Sequence, residues 1–497
     1  MMRSRCRSIL KGVFFFLFPL LFCLIVAVPV WAATWYVSPL GDDANVGSDP
    51  AVPLKTVGAA VVLAQNGDTI KVAQGVYAEA VLVSAFDSLS LEGGWSGEFS
   101  VRDRHTYETL IQGNGIDNGF DFQNCTNCLV SGFNVTGAYY GINVRSTESI
   151  NVSVTVSDNR VTASVNTAIF FGTAYVVVEG NEVVDNFNHG IAGWSDYEVT
   201  RGDIIGNYVV NNNGTGIYVI SNKVWYIHNN IVVGNNGVGV YAAYPGMSAQ
   251  VTNNTIMYNT YSGCNAGYYG YMVMRNNIIA FNGDYGIKKS QTGTYFYSEF
   301  NDVYGNTPAD YLDVTPQHTD FSLDPLVDGT YHLSEFSPCI DAGKDMSTVL
   351  TDDVDGDPRA ASVGGDGLYD VGADESVTDG DQDGWNAPLD CNDEDPTIYP
   401  GATEVKHDGI DQDCNGYDLT IDITKANYET AADELRVEAT SSLAGAAQLI
   451  LFDEYMMTYK SKKKARWVVT LEQAGGDPGT VWVCGIEGCE SAPVKVE

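Results

Sequence analysis

The chain has 497 residues, with 63 acidic against 26 basic side chains and a formal net charge of −37. Such a charge excludes nucleic acid as a partner, because phosphate binding needs clustered Lys and Arg, and favours a soluble chain that collects cations. The length exceeds one compact core and points to several units, unless an elongated repeat body relaxes that limit.

Residues 1–32 read as an export leader. Arg3, Arg5, Arg7 and Lys11 give a positive start, an apolar run follows from Val13 to Val30, and Val30-Trp31-Ala32 offers a small-residue cleavage site. A membrane anchor is the rival, since the run is long enough to span; Pro19 and Pro29 and the cleavage-like end favour removal. No second apolar stretch of that length follows, which predicts no membrane span after the leader is removed. Three locally spaced cysteine pairs remain: Cys125 with Cys128, Cys391 with Cys414, and Cys484 with Cys489. In an exported chain these read as disulfides. Zinc is the rival for Cys125 and Cys128, but no second pair or His-x-x-x-His partner accompanies them, and Cys264 and Cys339 have no assigned partner.

Residues 34–375 are organised by a repeat. Anchor asparagines fall at Asn159, Asn181, Asn207, Asn230, Asn254, Asn277 and Asn301, with spacings of 22, 26, 23, 24, 23 and 24 residues. From Asn181 onward each has a second asparagine five residues later, and a Gly followed by an apolar residue or Cys closes the phrase, as in Gly190-Ile191, Gly216-Ile217 and Gly263-Cys264. Between these marks Val and Ile alternate with polar residues, the period of a strand with one buried face. Asn and Gly tolerate the left-handed angles of sharp corners, and stacked Asn side chains bond the corners above and below. Each repeat is then one coil of short strands, so all-β architecture is expected, with coils pairing in parallel at about 4.8 Å and roughly ten coils making a rod near 50 Å long. The Leu-x-x-Leu-x-Leu signature of leucine-rich repeats is missing, and propeller blades need about 40 residues each.

The flanks carry a resemblance. "WYVSPLGDDANVG" and "NGDTIKVAQGVYAEAV" between Trp35 and Val81, and "DPLVDGTYHLSEFSPCIDAG", "DVDGDPR" and "YDVGADE" between Asp324 and Glu375, resemble the opening and closing segments of secreted pectin-lyase-like β-helix proteins. That resemblance implies a right-handed parallel β-helix. It implies little about activity, because the superfamily hosts lyases, hydrolases, epimerases and non-enzymes.

Residues 376–419 lie in an acidic stretch that a solvated linker would also explain, but the spacing argues for metal loops. Asp379, Asp381 and Asp383 alternate before Gly384 with Asp390 at the twelfth position; Asp411, Asp413 and Asn415 alternate before Gly416 with Asp422 at the twelfth. This alternation wraps one hard cation in oxygens, so calcium is the expected cofactor. Pro388 and a short exit leave no flanking helix, so these are not EF-hands. The stretch "DGDQDGWNAPLDCNDEDPTIYPGATEVKHDGIDQDCNGYD" resembles a metal-binding motif of secreted and surface bacterial proteins. The resemblance implies a Cys391–Cys414 disulfide fastening the two loops, with Asp393, Asp395 and Glu404 available to complete a shell. Copper, associated with one relative of the motif, finds only His407 as a soft ligand. Residues 420–497 alternate again without the Asn anchors and read as a small β-sandwich, with Lys460 to Lys464 a solvated loop.

If the residue after each closing Gly points inward, the next one and the one two further on face outward and stack from coil to coil. That face collects Asn143 and Arg145, Ala192 and Trp194, Tyr218 and Ile220, Tyr241 and Ala243, Asn265 and Lys288, with Phe170 joining irregularly. Trp194, Tyr218 and Tyr241 suit stacking against sugar rings, and Asn143 and Arg145 suit their hydroxyls; the alternative is that the aromatics only stack on one another. No paired carboxylates fall at matching positions for a hydrolase. For a lyase or epimerase on uronate-containing polysaccharide the scattered candidates are His189, beside Asp185, Asp196 and Arg201, together with Arg145, Lys223 and Lys288. The expectation is an exported calcium-binding β-helix that binds polysaccharide or cell-surface glycan without catalysis, with the enzyme and a purely structural surface protein as alternatives.

Overall fold

The computed structural model describes residues 32–146, 152–172, 174–194, 202–221, 223–244, 247–291, 293–334, 336–346, 349–359, 369–376, 391–392, 395–452, 455–460, 465–486 and 488–497. The expected leader up to Trp31, the first metal loop with Asp379, Asp381, Asp383 and Asp390, and Asp196, Arg201, Asp393 and 461–464 lie outside the described residues.

The repeat forms a right-handed parallel β-helix. Each coil contributes one strand to each of three sheets of 11, 10 and 10 strands. The chain passes, for example, from Ala174–Glu179 in the first sheet to Glu182–Val184 in the second and Ile191–Trp194 in the third, then on to Gly202–Ile205 in the first again. Neighbouring strands pair in parallel with register partners 22 to 27 residues apart over the repeat. Inward columns are therefore single-residue stacks: Ile142, Ile169, Ile191, Ile217, Val240, Cys264 and Ile287 in the third sheet, and Val183, Val209, Val232, Ile256, Ile279 and Val303 in the second. Both columns are fully buried. Cys264 is a core thiol of one column rather than half of a bridge.

Two asparagine ladders hold the corners. Asn207 shows the pattern: its backbone N–H and its Nδ2 both donate to Asn230 Oδ1 (2.9 Å each), and Nδ2 also donates to the Val178 carbonyl of an earlier coil (2.8 Å). The same bonds link Asn159 through Asn301 on one corner and Asn186 through Asn306 on the other. Each ladder ends on a carboxylate, Asp320 Oδ1 under Asn301 and Asp310 Oδ1 under Asn306. A stack of aligned amide dipoles thus terminates in negative charge at its donor end, the logic of a charged helix cap. The left-handed residue is the one before each anchor, among them Asn229 (φ 54°), Asn253 (φ 51°), Tyr258 (φ 56°) and Phe281 (φ 55°), so the anchor asparagines serve through their side chains.

The coils run to Tyr311–Leu312, and the following residues return as a strap along the outer face of the second sheet. Outward positions on that sheet change accordingly, from Asn134, Thr136, Arg160 and Glu182 to Ile231, Val233, Met257, Ile278 and Ala280, which pack against Cys339, Val371 and Ala373 of the strap. Asn229, Asn253 and Asn276 bond strap backbone at Asp352, Asp370 and Lys344. Arg359, buried, pairs with Glu375 at 2.7 Å and reaches Asn229 Oδ1 at 3.0 Å. A buried pair of this kind fixes how the strap docks more than it stabilises. Residues 420–497 form two mainly antiparallel sheets, of five and four strands, around a core that includes Leu435, Val437, Trp467, Leu449, Val481 and Val483.

The expected Cys125–Cys128 disulfide is not formed. Both are free, buried thiols that flank a sharp corner and point into the apolar interior, where Cys125 donates to the Val83 carbonyl at 3.4 Å and Cys128 to that of Phe86 at 3.7 Å. They behave as small core residues with weak donors. Cys391–Cys414 and Cys484–Cys489 are bonded as expected.

Asp302, fully buried where the strap covers the second sheet, is pushed up to about 7 by burial, with like charge from Asp310 and Asp324 adding to it. A carboxyl raised in the folded state contributes stability that is complete below its ordinary value and is lost as pH rises through 7. Between pH 5 and pH 8 the wild type should lose stability, and Asp302→Asn, which keeps the acceptor for Leu323 N–H, should remove about 3 kcal/mol of that loss at most. Thermal melts across this range check it; parallel curves for the two proteins would contradict the assignment.

Candidate functional site

The third sheet presents one continuous outward column. Its register places, coil by coil, Asp121 and Gln123, Asn143 and Arg145, Phe170, Ala192 and Trp194, Tyr218 and Ile220, Tyr241 and Ala243, Asn265 and Gly267, and Lys288. The expected positions are therefore in register, and the column also holds Asp121 and Gln123, which were missed. They follow Gly119-Phe120, an earlier Gly-apolar pair that was not marked as a repeat.

Asp121 ties the polar end of the column together. Its Oδ1 accepts from Asn143 Nδ2 at 2.7 Å, and its Oδ2 accepts from Gln123 Nε2 at 2.7 Å and pairs with Arg145 at 3.0 Å. Asn143 faces outward but is 4% exposed, so its amide is spent on Asp121 and is not open to a ligand as expected. Arg145 keeps an exposed flank.

In the middle, His189, Tyr218 and Tyr241 form a stack with ring centroids 4.8 Å and 5.1 Å apart and interplanar angles of 0° and 9°. Tyr140 and Phe170 stack likewise at 5.0 Å. The coil spacing of about 4.8 Å is close to aromatic contact distance, so the register partners Tyr218 and Tyr241 lie face to face and turn their edges outward, while His189 and Tyr140 join from the residue before a closing Gly. Tyr241 also leans over the next coil: a Cβ on Gly267 would lie 2.4 Å from its hydroxyl. Trp194 is 53% exposed at the end of its strand. Burial raises the Tyr218 and Tyr241 hydroxyls, which stay protonated donors.

The candidate bases are committed elsewhere. His189 Nδ1 accepts from the Thr215 backbone N–H at 2.9 Å, and burial lowers the ring below the ordinary histidine value, so the neutral ring carries its proton on Nε2. Lys288 Nζ pairs with Asp284 at 2.7 Å. Lys223 lies off the column, in the turn leading from the third sheet to the first.

The acidic segment brings Glu404, Asp411 and Asp413 together, with ligand oxygens all within 4.8 Å of one another. Asp411 accepts from the Asn415 and Gly416 N–H groups, while Glu404 accepts from those of Asp413 and Leu419, which turns all three carboxylates inward on one loop. Burial raises Asp413, and the charges of Glu404 and Asp411 add to it. Asn415 lies beside the cluster, its Oδ1 accepting from Tyr417 N–H. Asp422, expected at the twelfth position, is elsewhere: it opens the strand Asp422–Glu429 and bonds Lys406 at 3.3 Å and His407 Nε2 at 3.2 Å. Glu404 lies with Asp411 and Asp413, and His407, the soft ligand considered for copper, is engaged by Asp422.

A family model described as "Right handed beta helix region" matches residues 105–247, and one described as "Putative metal-binding motif" matches residues 390–418. No curated protein sequence matches the chain. Among solved structures, pectate lyase Pel9A is similar at 16% identity over 69% of this chain and 96% of that one, with a TM-score of 0.51. A lacto-N-biosidase of family GH136 from Eubacterium ramulus aligns at 14% identity over 59% of this chain and 67% of its own, TM-score 0.38. The A-module of the Azotobacter vinelandii mannuronan C-5 epimerase AlgE4 aligns at 13% over 52% and 91%, TM-score 0.33. The chain is a right-handed parallel β-helix protein with a metal-binding motif segment, and at these identities the likeness extends to fold alone.

Proposed function

We propose that this is an exported, calcium-loaded β-helix protein that binds neutral polysaccharide along the outward face of the third sheet without cleaving it. One observation carries the reading: the column pairs an exposed indole, Trp194, with a rigid ladder of ring edges and hydroxyls at a spacing of about 5 Å, while its cations Arg145 and Lys288 are already held by carboxylates. Sugars present apolar faces and hydroxyls, so the indole serves as the stacking platform and the tyrosine hydroxyls as hydrogen-bonding edges. A polyanion would meet paired cations on a strongly acidic molecule, which favours an uncharged glycan. The engagement of His189, Arg145 and Lys288 supports binding over elimination chemistry, which needs a free base beside a charge-neutralising group.

Calcium is supported by the donor set. Glu404, Asp411 and Asp413 offer oxygen alone, and three converging carboxylates repel one another unless a cation joins them. Export is supported by the leader-like start of the sequence and by two disulfides, which persist in oxidising compartments.

Two measurements test these assignments. Affinity electrophoresis against a panel of neutral and uronate-containing polysaccharides should show retention by a neutral one, with Trp194→Ala about tenfold weaker, as loss of ~1.4 kcal/mol of stacking requires, and Tyr241→Phe affected less. Equal retention by Trp194→Ala, or new reducing or unsaturated ends, would overturn the binding reading. Calorimetric titration with Ca²⁺ should show a site that weakens at least tenfold in the Asp411→Asn, Asp413→Asn double variant; an unchanged isotherm would reject the carboxylate cluster as that site.

A further inference from the structure

The strap contains a second constellation, which the repeat, the acidic loops and the glycan column leave unused. His332, Asp355 and Asp374 come from three separate stretches of the strap and converge until their ligand atoms all lie within 4.8 Å of one another. We propose that they form a binding site for a first-row divalent transition ion of the zinc or manganese type, independent of the calcium segment.

The ring is set for this role. Thr330 Oγ1 gives its hydrogen to Asp328 Oδ1 at 2.8 Å, so at its 2.8 Å contact with His332 Nδ1 it accepts, and Nδ1 carries a proton. Nε2 in turn donates to Asp355 Oδ2, 2.6 Å away, which aims the metal-binding nitrogen at the carboxylates. A hydrogen bond on the far nitrogen is how metal-binding histidines are held in orientation. Both carboxylates are also fixed: Asp374, 7% exposed, accepts from Leu333 N–H at 2.7 Å, and Asp355 Oδ1 is 3.3 Å from the hydroxyl of Tyr208 on the second sheet. One imidazole nitrogen with two carboxylates differs from the oxygen-only donor set that selects calcium, and suits zinc, manganese or ferrous iron. The ion enters between Nε2 and the two carboxylates in place of the Nε2 proton, which is released to solvent as the ion binds. Because the three ligands belong to different stretches of the strap and Tyr208 to the coils, a bound ion fastens the strap where it lies on the second sheet.

The probe is Co²⁺ added to tag-free full-length protein in saturating Ca²⁺, which fills oxygen-only sites. Visible d–d absorption with one equivalent bound, displaced by Zn²⁺, is the expected result. His332→Ala should abolish the bands and Asp374→Asn should weaken binding at least tenfold, whereas Asp411→Asn with Asp413→Asn should leave them intact. A readout that needs no ligand substitution is the spin-echo spectrum of Mn²⁺ bound to the His407→Ala protein, which should carry the ¹⁴N coupling of one imidazole even if His332→Ala fails to fold. Absence of Co²⁺ bands and of ¹⁴N coupling, or bands that survive in folded His332→Ala, would overturn the proposal.

Discussion

Everything in the rod depends on coils stacking in exact register, and the asparagine ladders are the interaction that enforces it. At each corner the backbone turns away from its sheet and leaves N–H groups without a strand partner in a dry interior, where an unmet donor costs about 1 to 3 kcal/mol. Asn259 meets this need for its neighbours: its Nδ2 reaches Val232 O of an earlier coil and Asn282 Oδ1 of the next, while its Oδ1 accepts from Asn235. A coil displaced by one residue breaks both ladders at once and turns every inward Val and Ile outward. Asp320 and Asp310, at the ends of the two ladders, show that the stack has an electrical direction as well as a geometric one.

That same register decides what the surface can do. Because equivalent side chains recur at about 4.8 Å, rings at register partners stack on each other, as Tyr218 and Tyr241 do with His189 added from the turn before its coil's closing Gly, and the ligand is offered edges and hydroxyls. Faces become available only where the row is interrupted. Small residues create such interruptions: Ala192 and Ala243 are almost flush with the sheet, and Trp194 stands out at the strand end beside Ile220.

The period of the anchor asparagines and the alternation around them made the coil legible from sequence, down to which residue of Gly190-Ile191 or Gly216-Ile217 points inward, because both signals are local. Long-range information was not available in the same way. Nothing local distinguishes Ile231, Val233 and Ile278 on the outer side of the second sheet from core residues, yet their apolar character records the strap that covers them. Asp121 and Gln123 follow Gly119-Phe120, a Gly-apolar pair that was not marked as a repeat. Spacing suggested a bridge for Cys125 and Cys128, and the corner does bring the two thiols side by side in the core, where they are hydrogen-bonded and not bridged. Alternating carboxylates pointed to Asp411 and Asp413, which do converge, but the twelfth-position rule belongs to a loop flanked by a helix, and here a strand begins at Asp422 instead, so that Glu404 is the third carboxylate of the cluster. The trio of His332, Asp355 and Asp374 has no sequence signature, since its members are brought together only by the folding of the strap.

The register itself is open to direct measurement. Pyrene attached to Tyr218→Cys together with Tyr241→Cys places two labels on adjacent coils, and on Tyr218→Cys together with Lys288→Cys places them three coils apart, at about 14 Å. Stacked coils predict strong excimer emission from the first pair and monomer emission from the second; monomer emission from both would contradict the arrangement from which the ligand surface follows.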